Sequence, residues 1–177
     1  MRIVSIACVL CLAVPAHADS VYFAETFTAA SYQGDLAAYG KGGLRFQFGI
    51  NLRQGAWTVE VLGGVLLNEH LSSDPERGAY TFCGVDLRRS WPLKESRWQG
   101  LGARVALHAG PRLFIGNATL TGYRGPGVSA GASLEGDLWV IGYFAEVGFD
   151  AMWMQMPVDH VAGIAPFIGI GGKLGWL

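Results

Sequence analysis

Apolar and polar residues alternate along the chain, and they do so most regularly in the segment 43–53. There Leu44, Phe46, Phe48, Ile50 and Leu52 alternate with Arg45, Gln47, Gly49, Asn51 and Arg53. Because successive side chains of a β-strand point to opposite faces, a period of two predicts a strand with one apolar and one polar face. The same pattern returns along the chain, which predicts an all-β domain.

Eight strands can be drawn from this alternation, and the connectors between them differ in length. The predicted strands are 20–32, 43–53, 56–67, 79–91, 98–114, 127–134, 138–154 and 161–176. The short connectors are Gln54-Gly55, 92–97 and 135–137, and the others are 33–42, 68–78, 115–126 and 155–160. Short turns that alternate with longer polar loops are typical of antiparallel up-and-down transmembrane β-barrels.

The two faces of the predicted strands differ in charge. On most strands the apolar face carries residues such as Phe48, Val85 and Ile168, and it is predicted to face lipid. The phase of the first strand is ambiguous. The opposite face carries a predicted lumen charge network of Arg45, Arg53, Glu60, Asp86, Arg88, Arg104, Arg112, Glu146, Asp150 and Lys173. Enclosed opposite charges can neutralise each other, and eight strands enclose a space that side chains can fill. A polar, plugged lumen is therefore expected.

Tryptophan positions give the predicted barrel a direction. Five tryptophans lie at the end that carries the short turns and form a predicted aromatic girdle: Trp57, Trp91, Trp98, Trp139 and Trp176. Trp153 lies at the opposite end. Tryptophan rings favour the membrane–water interface, where the ring is buried and the indole N–H is hydrated. Arg89 shares the outward phase but is predicted to lie near this interface, where a long side chain can extend to water.

Processing and composition agree with this interpretation. Residues 1–18 are predicted to be a cleaved signal peptide, with Arg2 before an apolar stretch and Ala16-His17-Ala18 as a cleavage site. This leaves 19–177 as one domain with a single cysteine, Cys83, and hence no internal disulfide. Charged residues make up 15% of the chain, below the roughly 25% of soluble proteins. After the leader no apolar stretch is long enough for a transmembrane helix.

Several other functional classes find no support in the sequence. The net charge of −1 gives no electrostatic reason to expect nucleic acid as a partner. Cys, His and carboxylates do not occur at metal-ligand spacings. The Gly-rich segment 122–127 lacks the strand and helix that flank a phosphate-binding loop. We expect neither a cofactor nor a metal.

With these features the chain resembles the small eight-stranded outer-membrane barrels, the family of the outer-membrane protein A transmembrane domain. The resemblance covers 19–177 and is most specific in the last strand, where Ile168, Ile170, Leu174 and Trp176 keep the alternation. In that family the last strand ends on an aromatic residue that the assembly machinery recognises, whereas here Leu177 follows Trp176. The resemblance implies an integral bacterial outer-membrane protein, a monomer in contact with lipid, lipopolysaccharide and the assembly machinery. The implied role is structural or surface-interacting.

Two alternatives remain open at this stage. Some eight-stranded barrels hydrolyse lipid A acyl chains with a His, a Ser two residues later and a Glu. His70 with Ser72 has that spacing, whereas His160 has Ala162 in place of the Ser, and we expect no enzymatic activity. A soluble lipocalin-like barrel would instead hold its apolar face inside, around a ligand. His108, in the inward phase, is either a hydrogen-bonding filler of the lumen or a proton switch.

Overall fold

A computed structural model describes residues 20–31, 33–34, 42–68, 79–95, 101–116, 124–138, 141–155 and 160–176. These residues form nine strands, and every pair of neighbouring strands is antiparallel. The strands are β1 (Ser20–Ser31), β2 (Gln33–Gly34), β3 (Gly42–Gln54), β4 (Trp57–Asn68), β5 (Ala79–Glu95), β6 (Leu101–Gly116), β7 (Arg124–Leu138), β8 (Ile141–Gln155) and β9 (His160–Trp176).

The sheet closes on itself, because β1 pairs with β3 on one side and with β9 on the other. The two-residue β2 pairs with Ile164 and Gly163 of β9 and continues the register that β1 makes with the same strand. β1 and β2 therefore act as one strand of an eight-stranded up-and-down barrel. The predicted fold class is confirmed.

The registers fix the stagger of this barrel. Each residue has a paired residue on the next strand, and these pairs can be followed once around the barrel. The path that starts at Ala24 of β1 passes through β3 to β9 and ends at Gly34 of β2, ten residues after its start. With ordinary strand spacings, that stagger corresponds to a strand tilt of about 40°. Such a barrel has an interior that side chains can fill completely. β1, the strand whose phase the sequence leaves ambiguous, pairs Thr26 with Gln47 of β3.

The alternation of the sequence becomes an alternation between the lumen and the outer surface. Along β3, Arg45 and Gln47 are buried, whereas Phe48 between Gln47 and Gly49 is 66% exposed. The same division between buried polar and exposed apolar residues holds around the described barrel: Ile168 and Ile170 are exposed, and Asp86 and Glu146 are buried. Charged and polar groups fill the inside of the barrel, and aliphatic and aromatic side chains cover its outside. That arrangement is the reverse of a lipocalin-like barrel.

Several predicted connectors are wrong in position: β2 lies within 33–42, the Gln54-Gly55 turn is displaced by one residue, and three further connectors differ as follows. β7 runs through Glu135-Gly136-Asp137 to Leu138, so the predicted three-residue turn is part of a strand. β5 continues through Pro92 to Glu95, and its register with β6 shifts between Pro92 and Lys94. At the other end, β7 already begins at Arg124, inside the predicted loop 115–126.

Other predictions concern residues outside the described ranges. These are the signal peptide 1–18, most of the long loops, Trp98, Trp139, His70 and Ser72. Within the described ranges, no helix is long and apolar enough to cross a membrane.

Lumen glycines make room for large neighbours. A Cβ at Gly110 would collide with the carbonyl oxygen of Val85 and with Asp86, whereas a Cβ at Gly102 on the same strand would meet nothing within 4 Å. We expect Gly110→Ala to lower the free energy of unfolding by about 1–3 kcal/mol, the cost of overpacking a core. Gly102→Ala should leave it almost unchanged. Urea unfolding in lipid vesicles measures both, and equal stability of the two variants would contradict this packing.

Candidate functional site

The lumen holds the charged groups in clusters at different depths. We call the end of the barrel at the Gly55-Ala56 turn the turn end, and the end at which β4 finishes with Asn68 and β5 begins with Ala79 the loop end. One cluster lies at the turn end, one near mid-depth and one nearer the loop end. Five carboxylates are buried inside the described barrel, those of Glu60, Asp86, Glu135, Glu146 and Asp150.

Arg88 is the centre of the cluster nearest the turn end. Its guanidinium donates hydrogen bonds to Glu60 Oε2 at 3.1 Å, to Ser133 Oγ at 3.2 Å and to Glu135. Lys173 Nζ lies 3.1 Å from Glu135 Oε1, and Arg104 Nε lies 3.6 Å from Glu135 Oε2. Because Arg88 and both carboxylates are almost fully buried, each charge depends on its partners for compensation.

Asp86 is the centre of the second cluster. Arg112 donates two hydrogen bonds of 2.6 Å to its two carboxylate oxygens, which is the parallel two-point geometry that guanidinium and carboxylate favour. His108 Nδ1 lies 3.1 Å from Asp86 Oδ2. His108 therefore lies in the lumen as predicted, and its ring is oriented by a carboxylate.

Arg45 is held nearer the loop end, between aromatic rings. It donates hydrogen bonds to Asp150 Oδ2 at 2.9 Å and to Gln47 Oε1 at 2.7 Å. Its guanidinium carbon lies 4.6 Å from the ring centroid of Phe82 and 4.6 Å from that of Phe167. Cation–π contacts of this kind gain strength when the cation is shielded from water.

The structure brings nine of the ten predicted network residues into the lumen and adds one that the sequence analysis missed. Arg53 is only half-buried and donates a hydrogen bond to the Gly55 carbonyl at 3.1 Å, so it lies at the rim. The missed residue is Glu135, which the sequence places in a turn. With Glu135 included, five cations and five carboxylates occupy the described lumen.

The lumen also contains apolar side chains that the predicted polar, plugged lumen did not include. The buried apolar residues are Leu62, Leu66, Phe82, Ala106, Phe114, Phe144, Met152, Ala165 and Phe167. Leu66, Phe114 and Met152 lie within three residues of the ends of their strands at the loop end. These residues occupy positions in the sequence that alternate toward the inside of the barrel, so their burial could have been predicted from the alternation. The lumen is thus charged at the turn end and more apolar toward the loop end.

The aromatic girdle can be followed at two of its five positions. Trp57 and Trp91 lie on the outer face at the turn end and are 46% and 40% exposed. Trp153 is exposed near the loop end. Trp98 and Trp139 fall outside the described residues, and only the strand position of Trp176 is described. Arg89, also exposed, lies between the two described tryptophans of the turn end.

The candidate hydrolase residues are not brought together within the described part of the chain. His160 begins β9 and pairs with Gln155, and Ala162 pairs with Trp153. Among the described residues no group of three or more His, Cys, Asp or Glu side chains is arranged to hold a metal ion.

The fold is similar to that of Neisserial surface protein A (NspA), with a TM-score of 0.51 and 11% sequence identity over 88% of this chain and 95% of that one. Two further structures align with lower scores. The N-terminal β-barrel domain of Pseudomonas aeruginosa OprF gives a TM-score of 0.43 at 13% identity, with 89% and 98% of the two chains covered. Ail, the attachment invasion locus protein of Yersinia pestis, gives 0.41 at 11% identity, with 89% and 97% covered.

No family model and no curated protein matches the sequence. The likeness to NspA confirms, at the level of fold, the resemblance to small eight-stranded outer-membrane barrels.

Proposed function

We propose that this chain is an integral protein of a bacterial outer membrane, with a plugged lumen and a structural or surface-interacting role. The observation that carries the proposal is the outer surface of the barrel. Phe48, Ile168 and Ile170 are each more than 60% exposed, whereas carboxylates such as Glu60, Asp86 and Glu146 are buried in the lumen. In water so large an apolar surface would drive association, and in a bilayer it is the surface that lipid covers.

The tryptophans and the connector lengths support an orientation in this membrane. Trp57 and Trp91 would lie at the periplasmic interface, next to the two-residue turn between β3 and β4. The loop end, where the sequence carries its long polar connectors, would face outward. These connectors, 33–42, 68–78 and 115–126, are the segments we assign to surface interactions.

The remaining partners follow from the same placement. A barrel of this kind would contact phospholipid and lipopolysaccharide and would be inserted by the outer-membrane assembly machinery. Closure of the sheet leaves no strand edge for pairing with a second chain, which favours a monomer.

The small space left between the side chains of the turn end supports a plugged lumen. At the turn end the cavity lined by Asn51, Arg53, Thr58, Ser90, Arg104, Glu135 and Lys173 has a volume of about 10 Å³. That is at the lower limit for one water molecule. Toward the loop end Leu66, Phe114 and Met152 add an apolar layer that disfavours a continuous water column.

A conductance measurement tests the plug. The purified protein in planar lipid bilayers should give no regular conductance steps in molar potassium chloride, because paired charges and apolar side chains fill the lumen. A sixteen-stranded porin in the same bilayers should give large steps and serves as the positive control. Uniform, reproducible steps from this protein would contradict a plugged lumen.

A further inference from the structure

Arg89 is an exposed guanidinium on the apolar outer surface of the barrel. It lies on β5 between the exposed residues Leu87 and Trp91, on the side that we assign to lipid. Its guanidinium carbon is 5.2 Å from the ring of Trp57 and 5.2 Å from the ring of Trp91. Two indoles therefore hold one cation, a geometry that stabilises the charge without hydrogen-bonding it.

The residues around the Arg89 guanidinium lie on paired strands. Trp57 on β4 and Arg89 on β5 are directly opposite each other in the register. The adjacent Ser90 N–H donates a 2.8 Å hydrogen bond to the Ala56 carbonyl, which ties the β3–β4 turn to β5. Because the three side chains stand on paired strands, a ligand can bind without rearrangement of the backbone.

Within the described part of the protein, no acceptor reaches the Arg89 guanidinium. Its ring contacts with Trp57 and Trp91 involve no acceptor atom, and the carboxylates of Glu60, Asp86, Glu135, Glu146 and Asp150 lie on the other side of the sheet, in the lumen. An arginine carries five N–H donors. In an apolar surrounding such donors are costly to leave without partners, so an acceptor from outside the protein would be bound favourably.

We infer that Trp57, Arg89 and Trp91 form a binding site for the phosphate group of a phospholipid in the periplasmic leaflet. The inference rests on the proposed membrane location and names the ligand of that interface. A guanidinium matches two phosphate oxygens with two parallel N–H donors, and the indoles pack against the glycerol and upper acyl carbons. Anionic phosphatidylglycerol fits better than phosphatidylcholine, whose own cation competes with Arg89.

Native mass spectrometry of the detergent-solubilised protein can measure this preference. Phosphatidylglycerol and phosphatidylcholine are titrated separately into the parent protein, Arg89→Gln and Arg124→Gln. Arg124 is the matched control, because it is an exposed arginine at the opposite, loop end of the barrel, where it pairs with Ile115. Heat-dependent gel mobility verifies that each variant is folded.

The parent should bind phosphatidylglycerol at least about tenfold more tightly than phosphatidylcholine, as expected for charge-assisted hydrogen bonds. Arg89→Gln should lose this preference, and Arg124→Gln should keep it. A preference that persists in Arg89→Gln would overturn the site. Displacement of the lipid by millimolar inorganic phosphate would overturn its assignment to a lipid.

Either of these two results would leave a heat-modifiable membrane barrel intact. A folded protein that stays soluble without detergent would instead refute the proposed membrane location.

Discussion

Replacement of Arg88 by methionine should lower the free energy of unfolding by about 3–5 kcal/mol, the largest single loss expected in the lumen. Arg88 lies between Glu60 and Glu135, and all three side chains are at most 5% exposed. Without the guanidinium, two carboxylates remain in a nearly water-free interior with less positive charge to compensate them. Methionine keeps most of the volume, so the loss reports on charge rather than on a cavity.

Arg53→Met is the matched control for this variant. Arg53 is half-buried at the rim and donates one hydrogen bond to the Gly55 carbonyl, so its removal should cost about 1 kcal/mol or less. The double variant Glu60→Gln with Arg88→Met should recover part of the loss, because it removes one of the uncompensated charges. Urea unfolding in lipid vesicles measures all three. Equal losses for Arg88→Met and Arg53→Met would contradict the central position of Arg88.

Arginine in place of Phe48 should destabilise the protein in a bilayer by roughly 2–4 kcal/mol and reduce its insertion. Phe48 lies at the middle of β3 and is 66% exposed, so the new charge would lie near the centre of the hydrocarbon. Most of the surface of the phenyl ring is exposed on the outside of the barrel. The cost therefore comes from bringing a guanidinium into lipid rather than from lost packing.

Leu93→Arg provides the depth control. Leu93 is similarly exposed, at 61%, but it lies beyond Trp91 toward the turn end. A charge there would reach the headgroups, and the expected cost is about 0–1 kcal/mol. If both variants folded into vesicles with the yield of the parent, the outer face would not be the lipid face.

The alternation of the sequence is enough to predict the barrel and most of its two faces. Arg45, Asp86 and Asp150 stand in the inward phase of their strands, and the structure buries all three. Their partners could not be predicted in the same way. Arg45 and Asp150 are 105 residues apart, and they meet only because of the stagger with which the barrel closes. Stagger depends on the sum of all the registers and is not visible in any single strand.

Glu135 shows a different limit of sequence interpretation. Glu135-Gly136-Asp137 has the composition of a turn, yet β7 continues through it. The reason is local packing: a Cβ at Gly136 would collide with the ring of Tyr143 on the neighbouring strand. This glycine makes room for an aromatic side chain rather than ending a strand. Because Gly136 suggested a turn, the sequence analysis did not include Glu135 in the lumen, where it pairs with Arg88, Arg104 and Lys173.

The most direct test of the membrane barrel is to refold the protein with and without lipid vesicles and to analyse unboiled and boiled samples on a denaturing gel. We predict a heat-modifiable band only when vesicles are present, and this band should remain in the membrane pellet after an alkaline wash. The alternation around Phe48 then marks a surface that needs lipid. A folded, soluble protein in buffer without lipid or detergent would contradict the account.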